Sequence, residues 1–152
     1  MARVFTSLMM YLLVSQSVPA ATPRPDNSAI TALQSANAKV KWDKKNAIVA
    51  DITGDGIVDT IAVGYTAEAV WLGLVPGSKS RRPANPLVVE LVMCRRLVHI
   101  ALSPATCEGS VGRLLDCKVV KGAYEFAIID DACDPYHFYW DTALKTLGWW
   151  RL

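Results

Sequence analysis

The stretch ADITGDGIVDTIAVGY, Ala50 to Tyr65, sets three aspartates, Asp51, Asp55 and Asp59, and two glycines, Gly54 and Gly56, within nine residues and then runs straight into an apolar segment. An Asp-Gly pair between two runs rich in Val and Ile is strong hairpin chemistry, because glycine reaches positive φ without cost and aspartate bonds the backbone of its own turn. AIVADI and VDTIAVGY are therefore expected as the arms of an antiparallel hairpin, with Asp55-Gly56 at the turn. A bare turn needs neither Asp51 nor Asp59. Three carboxylates gathered in one loop repel one another unless a cation or solvent relieves them.

Calcium takes hard oxygens from a flexible loop of this kind. Counted from Asp51, the odd positions that supply oxygen in helix-loop-helix calcium sites fall on Asp51, Thr53, Asp55, the carbonyl of Ile57, and Asp59. Gly56 takes the sixth place, where a sharp turn excludes a Cβ. The final place, which those sites give to a bidentate glutamate, is Ala62, and strand-like segments flank the loop on both sides. On these residues the segment from Val49 to Tyr65 resembles the DxxGDGxxD element of FG-GAP and VCBS-type units. The resemblance implies a calcium-binding turn between neighbouring strands, with side-chain ligands Asp51, Thr53, Asp55 and Asp59 and the carbonyl of Ile57. Threonine at the third place and the absence of a second copy depart from that pattern.

Outward from the hairpin, VKW precedes it, and AVWLGLV, PLVVELVM, LVHIAL, LLDCKVV, YEFAIID, YHFYW and LGWWRL follow. Each is short, rich in Val, Ile or aromatic residues, and bounded by Gly, Pro, Asn or Asp, which is strand chemistry. PGSKSRRPANP, residues 76–86, with three prolines, is expected as an exposed loop between two strands. Ahead of the strands, Ala29, Leu33 and Ala36 recur at helical spacing behind Asn27 and Ser28, either of which can cap a short helix. Propellers and solenoids need several copies of a unit to bury their faces, and the aspartate loop occurs once. The expected fold is mainly β: a compact antiparallel β-sandwich or partly open barrel with one short N-terminal helix.

Residues 1–20, MARVFTSLMMYLLVSQSVPA, have Arg3, an apolar run, and Val18 and Ala20 at the small-residue positions of a cleavage site, the pattern of a signal peptide. Residues 21–28 form a flexible lead-in and 29–152 a single β-rich domain. Four cysteines, Cys94, Cys107, Cys117 and Cys133, then lie in an exported chain, where two disulfides in any of three pairings are expected. A thiolate metal site on Cys133 and His137 is the alternative. The 16 basic and 14 acidic residues are interspersed, which leaves no electrostatic footprint for nucleic acid. Export to the periplasm is preferred over the extracellular medium, with no membrane span after signal cleavage.

The C-terminal stretch AIIDDACDPYHFYWDTALKTLGWWRL, Ala127 to Leu152, combines Asp130, Asp131, Asp134 and Asp141 with His137 and six aromatic residues. On a strand, Tyr136, Phe138 and Trp140 share one face and His137, Tyr139 and Asp141 the other. A hairpin through TALKT brings further tryptophan across, which gives an aromatic core rimmed by turn aspartates. Neighbouring Asp130 and Asp131 point to opposite faces and are poorly placed to flank one glycosidic bond. The chain contains neither a GxSxG elbow nor a phosphate-binding glycine loop. It is read as an exported, disulfide-bonded binding or interaction module with a structural Ca2+ loop and an exported protein or glycan as partner, rather than an enzyme. The rivals are a hydrolase acting on carbohydrate through the C-terminal aspartates, and an inhibitor or immunity-type protein of an exported enzyme.

Overall fold

The computed structural model describes residues 27–80, 84–94, 97–106 and 122–151. The expected signal peptide, the strand LLDCKVV, and Cys107 and Cys117 lie outside the described residues. Helix α1 (Asn27–Ala36) opens the described chain, so Asn27 and Ser28 belong to the helix rather than to a lead-in. It buries Ala29 and Leu33. Its last turn closes where the Asn37 N–H donates to Leu33 O at 3.0 Å.

Nine strands follow among the described residues: β1 (Lys41–Trp42), β2 (Ile48–Ala50), β3 (Asp59–Tyr65), β4 (Val70–Val75), β5 (Leu87–Leu91), β6 (His99–Pro104), β7 (Tyr124–Ile129), β8 (Tyr136–Asp141) and β9 (Thr146–Trp150). They form two antiparallel sheets. The first runs β1-β3-β4-β5, with β2 also paired to β3, and the second runs β6-β7-β8-β9. Of the two expected β architectures this is the sandwich, since among the described residues the sheets are separate and no barrel closes. The hairpin that starts the argument is present, with Ile48 opposite Ile61 and Ala50 opposite Asp59. Its connection occupies the eight residues 51–58, so Asp55-Gly56 is one corner of a wider loop and not a two-residue turn.

The facing sides of the sheets make the main core. Ile61, Val63, Leu72 and Leu74 of the first sheet belong to one apolar cluster with Phe126, Ile128, Tyr136 and Phe138 of the second. Helix α1 covers the other side of the first sheet, where Leu33 packs with Val40, Trp42, Ala62 and Val75. β3 is thus buried on both faces from Asp59 to Gly64, which explains its near-continuous apolar run. Small residues make room for this third layer. A Cβ on Gly73 would stand 2.8 Å from Trp42 Cζ3 and 2.9 Å from Leu33 Cδ1, too close for the helix to stay seated. No helix among the described residues is long and apolar enough to cross a membrane.

Candidate functional site

Loop 51–58 is wound around its own first carboxylate. Asp51 Oδ1 accepts the N–H groups of Gly54 at 2.8 Å and Asp55 at 3.1 Å, and Oδ2 accepts that of Gly56 at 2.9 Å. Asp55 Oδ1 accepts the Ile57 N–H at 2.8 Å. Such winding needs left-handed backbone at Gly54 (φ 72°) and Gly56 (φ 82°), which is why glycine stands at both places. A carboxylate offers roughly four lone-pair sites, so Asp51 and Asp55 keep acceptor capacity after these bonds.

Asp59 does something different. It is fully buried at the start of β3, and its Oδ2 accepts the N–H groups of Ile52 at 2.7 Å and Thr53 at 2.8 Å. Oδ1 accepts the Gly77 N–H at 2.6 Å. One carboxylate therefore ties the first residues of the loop to the segment that follows β4. Burial pushes its pKa above the ordinary 3.8, against the pull of those three backbone donors. Thr53 supplies the remaining anomaly, because its Oγ1 is buried with no hydrogen-bond partner. Asp51, Thr53, Asp55, Ile57 and Asp59 share this stretch of chain, but Asp59 is turned toward the protein interior and the carboxylates of Asp51, Asp55 and Asp59 do not form a converging group of ligand atoms. The loop also reaches the second sheet, since the Tyr124 N–H donates to Asp51 O at 2.9 Å.

A second carboxylate-centred corner lies at the other end of β7. Asp130, 2 % exposed, accepts the Ala132 N–H at 3.0 Å and the Cys133 N–H at 2.9 Å on Oδ1, and the Cys94 N–H at 2.8 Å on Oδ2. Cys94 and Cys133 are joined by a disulfide with a Cα–Cα distance of 5.9 Å. The bond links the end of β5 in one sheet to the β7–β8 connection in the other. Among the described residues, Cys94, Asp130 and Cys133 are the group of ligand-type side chains whose atoms lie within 4.8 Å of one another. The alternative pair, Cys133 with His137, does not form, because Cys133 is bonded to Cys94 and His137 stacks on Trp150. Asp131 and Asp134 are exposed while Asp130 points inward, so the three do not flank a common cleft.

Sequence reasoning missed this corner, and also the inward turn of Asp59. The signal was in the alternation. Asp59 is in phase with Ile61 and Val63, and Asp130 with Phe126 and Ile128, the positions that face the core. Each aspartate continues an inward-facing row.

The β8–β9 hairpin forms as expected, with Phe138 opposite Trp149 and Asp141 opposite Thr146. On the core side Phe126 and Phe138 stack at 5.0 Å, and Tyr136 packs on Trp149 at 5.4 Å. The Arg151 guanidinium lies 4.4 Å from the Tyr136 ring centroid. On the outward side the His137 and Trp150 rings lie flat on one another, with centroids 3.9 Å apart and planes at 5°. Burial lowers the His137 pKa. Tyr139 lies across Gly148, where a Cβ would come within 2.6 Å of its Cε1. Glu125, whose pKa burial raises, accepts the Ser103 hydroxyl at 3.4 Å on the neighbouring strands. No protein-family model, no curated protein and no solved structure matches this chain.

Proposed function

We propose that the chain is a calcium-fixed β-sandwich binding module of an exported protein, in which loop 51–58 holds Ca2+ structurally and the outward aromatic face of β8 and β9 meets the partner. The observation that carries the calcium reading is the unpartnered, buried Thr53 Oγ1, set in sequence between two carboxylates that wind the loop. A buried hydroxyl oxygen without a partner costs about 1–3 kcal/mol, and coordination to a cation removes that cost. The proposed ligands are the side chains of Asp51, Thr53 and Asp55 and the Ile57 carbonyl, all hard oxygens suited to Ca2+. Asp59, which the sequence also offered, is turned inward and anchors the first residues of the loop. The ion relieves the mutual repulsion of the carboxylates and fixes the backbone that joins β2 to β3.

The outward face supports the binding half of the proposal. His137 stacked on Trp150, with Tyr139 beside Gly148 on the same face, gathers aromatic rings of the kind that contact a sugar or a partner's side chains. Export, with the periplasm preferred, fits the Cys94–Cys133 disulfide.

Two measurements test this function. Calcium at millimolar concentration is expected to raise the melting temperature and a chelator to lower it, since a ligand of the folded state stabilises it by mass action. Pull-down from exported extract, with and without calcium, is expected to retain a stoichiometric partner that Trp150→Ala and Tyr139→Ala release. Absence of a thermal shift removes the calcium site. Capture indifferent to both substitutions removes the aromatic face.

A further inference from the structure

The corner that joins the two sheets contains more than a structural crosslink. Asp130 accepts backbone N–H groups from both half-cystine residues, Cys94 at 2.8 Å and Cys133 at 2.9 Å. The two segments are therefore gathered by a buried carboxylate whether or not the sulfurs are bonded to each other. Tyr136 adds a further tie, its hydroxyl donating to Val92 O at 3.2 Å. These hydrogen bonds do not involve the sulfurs, so they are expected to keep the thiols together if the disulfide is opened.

We infer that Cys94, Cys133 and Asp130 form a redox-gated site for a thiophilic divalent cation such as Zn2+, closed when the cysteines are bonded to each other and available when they are reduced. The chemistry is a two-electron exchange. A dithiol reductant gives two electrons and two protons to the S–S bond and leaves as its own disulfide, and the cation then displaces both thiol protons. Two thiolate sulfurs and one carboxylate oxygen are a donor set that zinc accepts, with solvent at the remaining position. In a tetrahedral zinc site, ligand atoms stand about 3.3–3.8 Å apart. The three candidate atoms already lie within 4.8 Å of one another, so modest side-chain movement closes the set. Cys94 is exposed, which gives both reductant and cation a path in, while Asp130 is buried and held in place by its amide donors.

The two states exclude each other, because the same sulfurs make either the disulfide or the metal bonds. An oxidant ejects the ion, and a bound ion protects the thiols from oxidation. Affinity falls as pH drops, since two protons compete with the cation. None of this depends on loop 51–58.

The test uses the full chain carrying Cys107→Ser and Cys117→Ser, reduced under anaerobic conditions, freed of reductant and titrated with Co2+ as a spectroscopic stand-in for zinc. One equivalent is expected to bind, with sulfur-to-cobalt charge-transfer absorption in the near ultraviolet. The oxidised protein is expected to show none. Adding Cys94→Ser, at an exposed position, is expected to leave the reduced fold intact by near-ultraviolet circular dichroism and to abolish the charge-transfer band. Asp130→Asn is expected to weaken Co2+ binding by at least the ~10-fold to 100-fold typical of losing a ligand's supporting partner. The proposal is overturned if the reduced double variant binds no Co2+, if Cys94→Ser leaves the band unchanged, or if reduction alone abolishes near-ultraviolet circular dichroism.

Discussion

At one end of the sandwich Asp59 draws residues 52, 53 and 77 together with hydrogen bonds alone. At the other, Asp130 draws 94, 132 and 133 together, and a disulfide lies across the same gap. Strand β7 separates the two ends by about 20 Å, at ~3.3 Å per residue. Each carboxylate gathers backbone donors that strand pairing leaves unused. The covalent bond is added at the end where the chain leaves one sheet for the other, between β5 and β6. At the aspartate-loop end the tie to the second sheet that accompanies Asp59 is the bond from the Tyr124 N–H to Asp51 O. An added ligand therefore has most to contribute at the loop end, and an added reductant most to remove at the other.

The largest effect is expected from replacing both Cys94 and Cys133 with serine. The loop they close has a sequence separation of 39. Its closure entropy corresponds to about 4 kcal/mol, read as a lowered urea midpoint. A loss well above this, or an unfolded variant, means that Asp130 does not keep the corner closed without the bond. Calcium comes next. At a concentration of about 100 times Kd it is expected to add about 2.7 kcal/mol, and Asp51→Asn or Asp55→Asn is expected to erase most of that gain while leaving the disulfide corner's response to reductant unchanged. A calcium effect that survives both substitutions places the ion elsewhere.

Asp59→Asn is expected to lower stability by about 1–3 kcal/mol, because the amide keeps one acceptor oxygen and turns an NH2 toward a backbone donor. A stabilised variant means that burying the charge outweighs the three hydrogen bonds, and the likeness between the two ends then fails. The smallest effect is on pH dependence. The folded pKa of Asp59 is raised, so its contribution is fully present below 3.8 and is lost as pH rises through the folded value. The wild type's stability relative to Asp59→Asn is therefore expected to fall as pH rises through that window. Urea midpoints for the pair across the acid range measure it.

Much of the sheet structure was legible because each strand carried its own period. VDTIAVGY, YEFAIID and YHFYW correspond to β3, β7 and β8 to within a residue at one end, and TALKT closes the last hairpin as expected. In that turn Asp141 Oδ1 accepts the N–H groups of Ala143 and Leu144, each at 2.9 Å, which is the local chemistry that aspartate brings to a turn. The layer that α1 adds was not legible. Its trace is only the small size of Ala62, Gly64 and Gly73, and small residues have many uses. Pairing of Cys94 with Cys133 could not be read either, since it depends on how the two sheets meet. The Asp59 and Asp130 clamps were written in the alternation but obscured by expectation, because an aspartate at a strand end ordinarily faces solvent.

The divided edge of the first sheet has a consequence for the protein's company. β1 has two residues and β2 three, and both pair with β3, so among the described residues no long strand lies along that side. Between them the chain bends around Asp43, whose Oδ1 accepts the N–H groups of Lys45 at 3.1 Å and Asn46 at 3.3 Å. A foreign strand seeking a row of open backbone groups meets two short steps and a bend that carries Lys44 and Lys45. Such an edge is a poor template for another chain, and the sandwich keeps one flank out of reach of strand-by-strand aggregation.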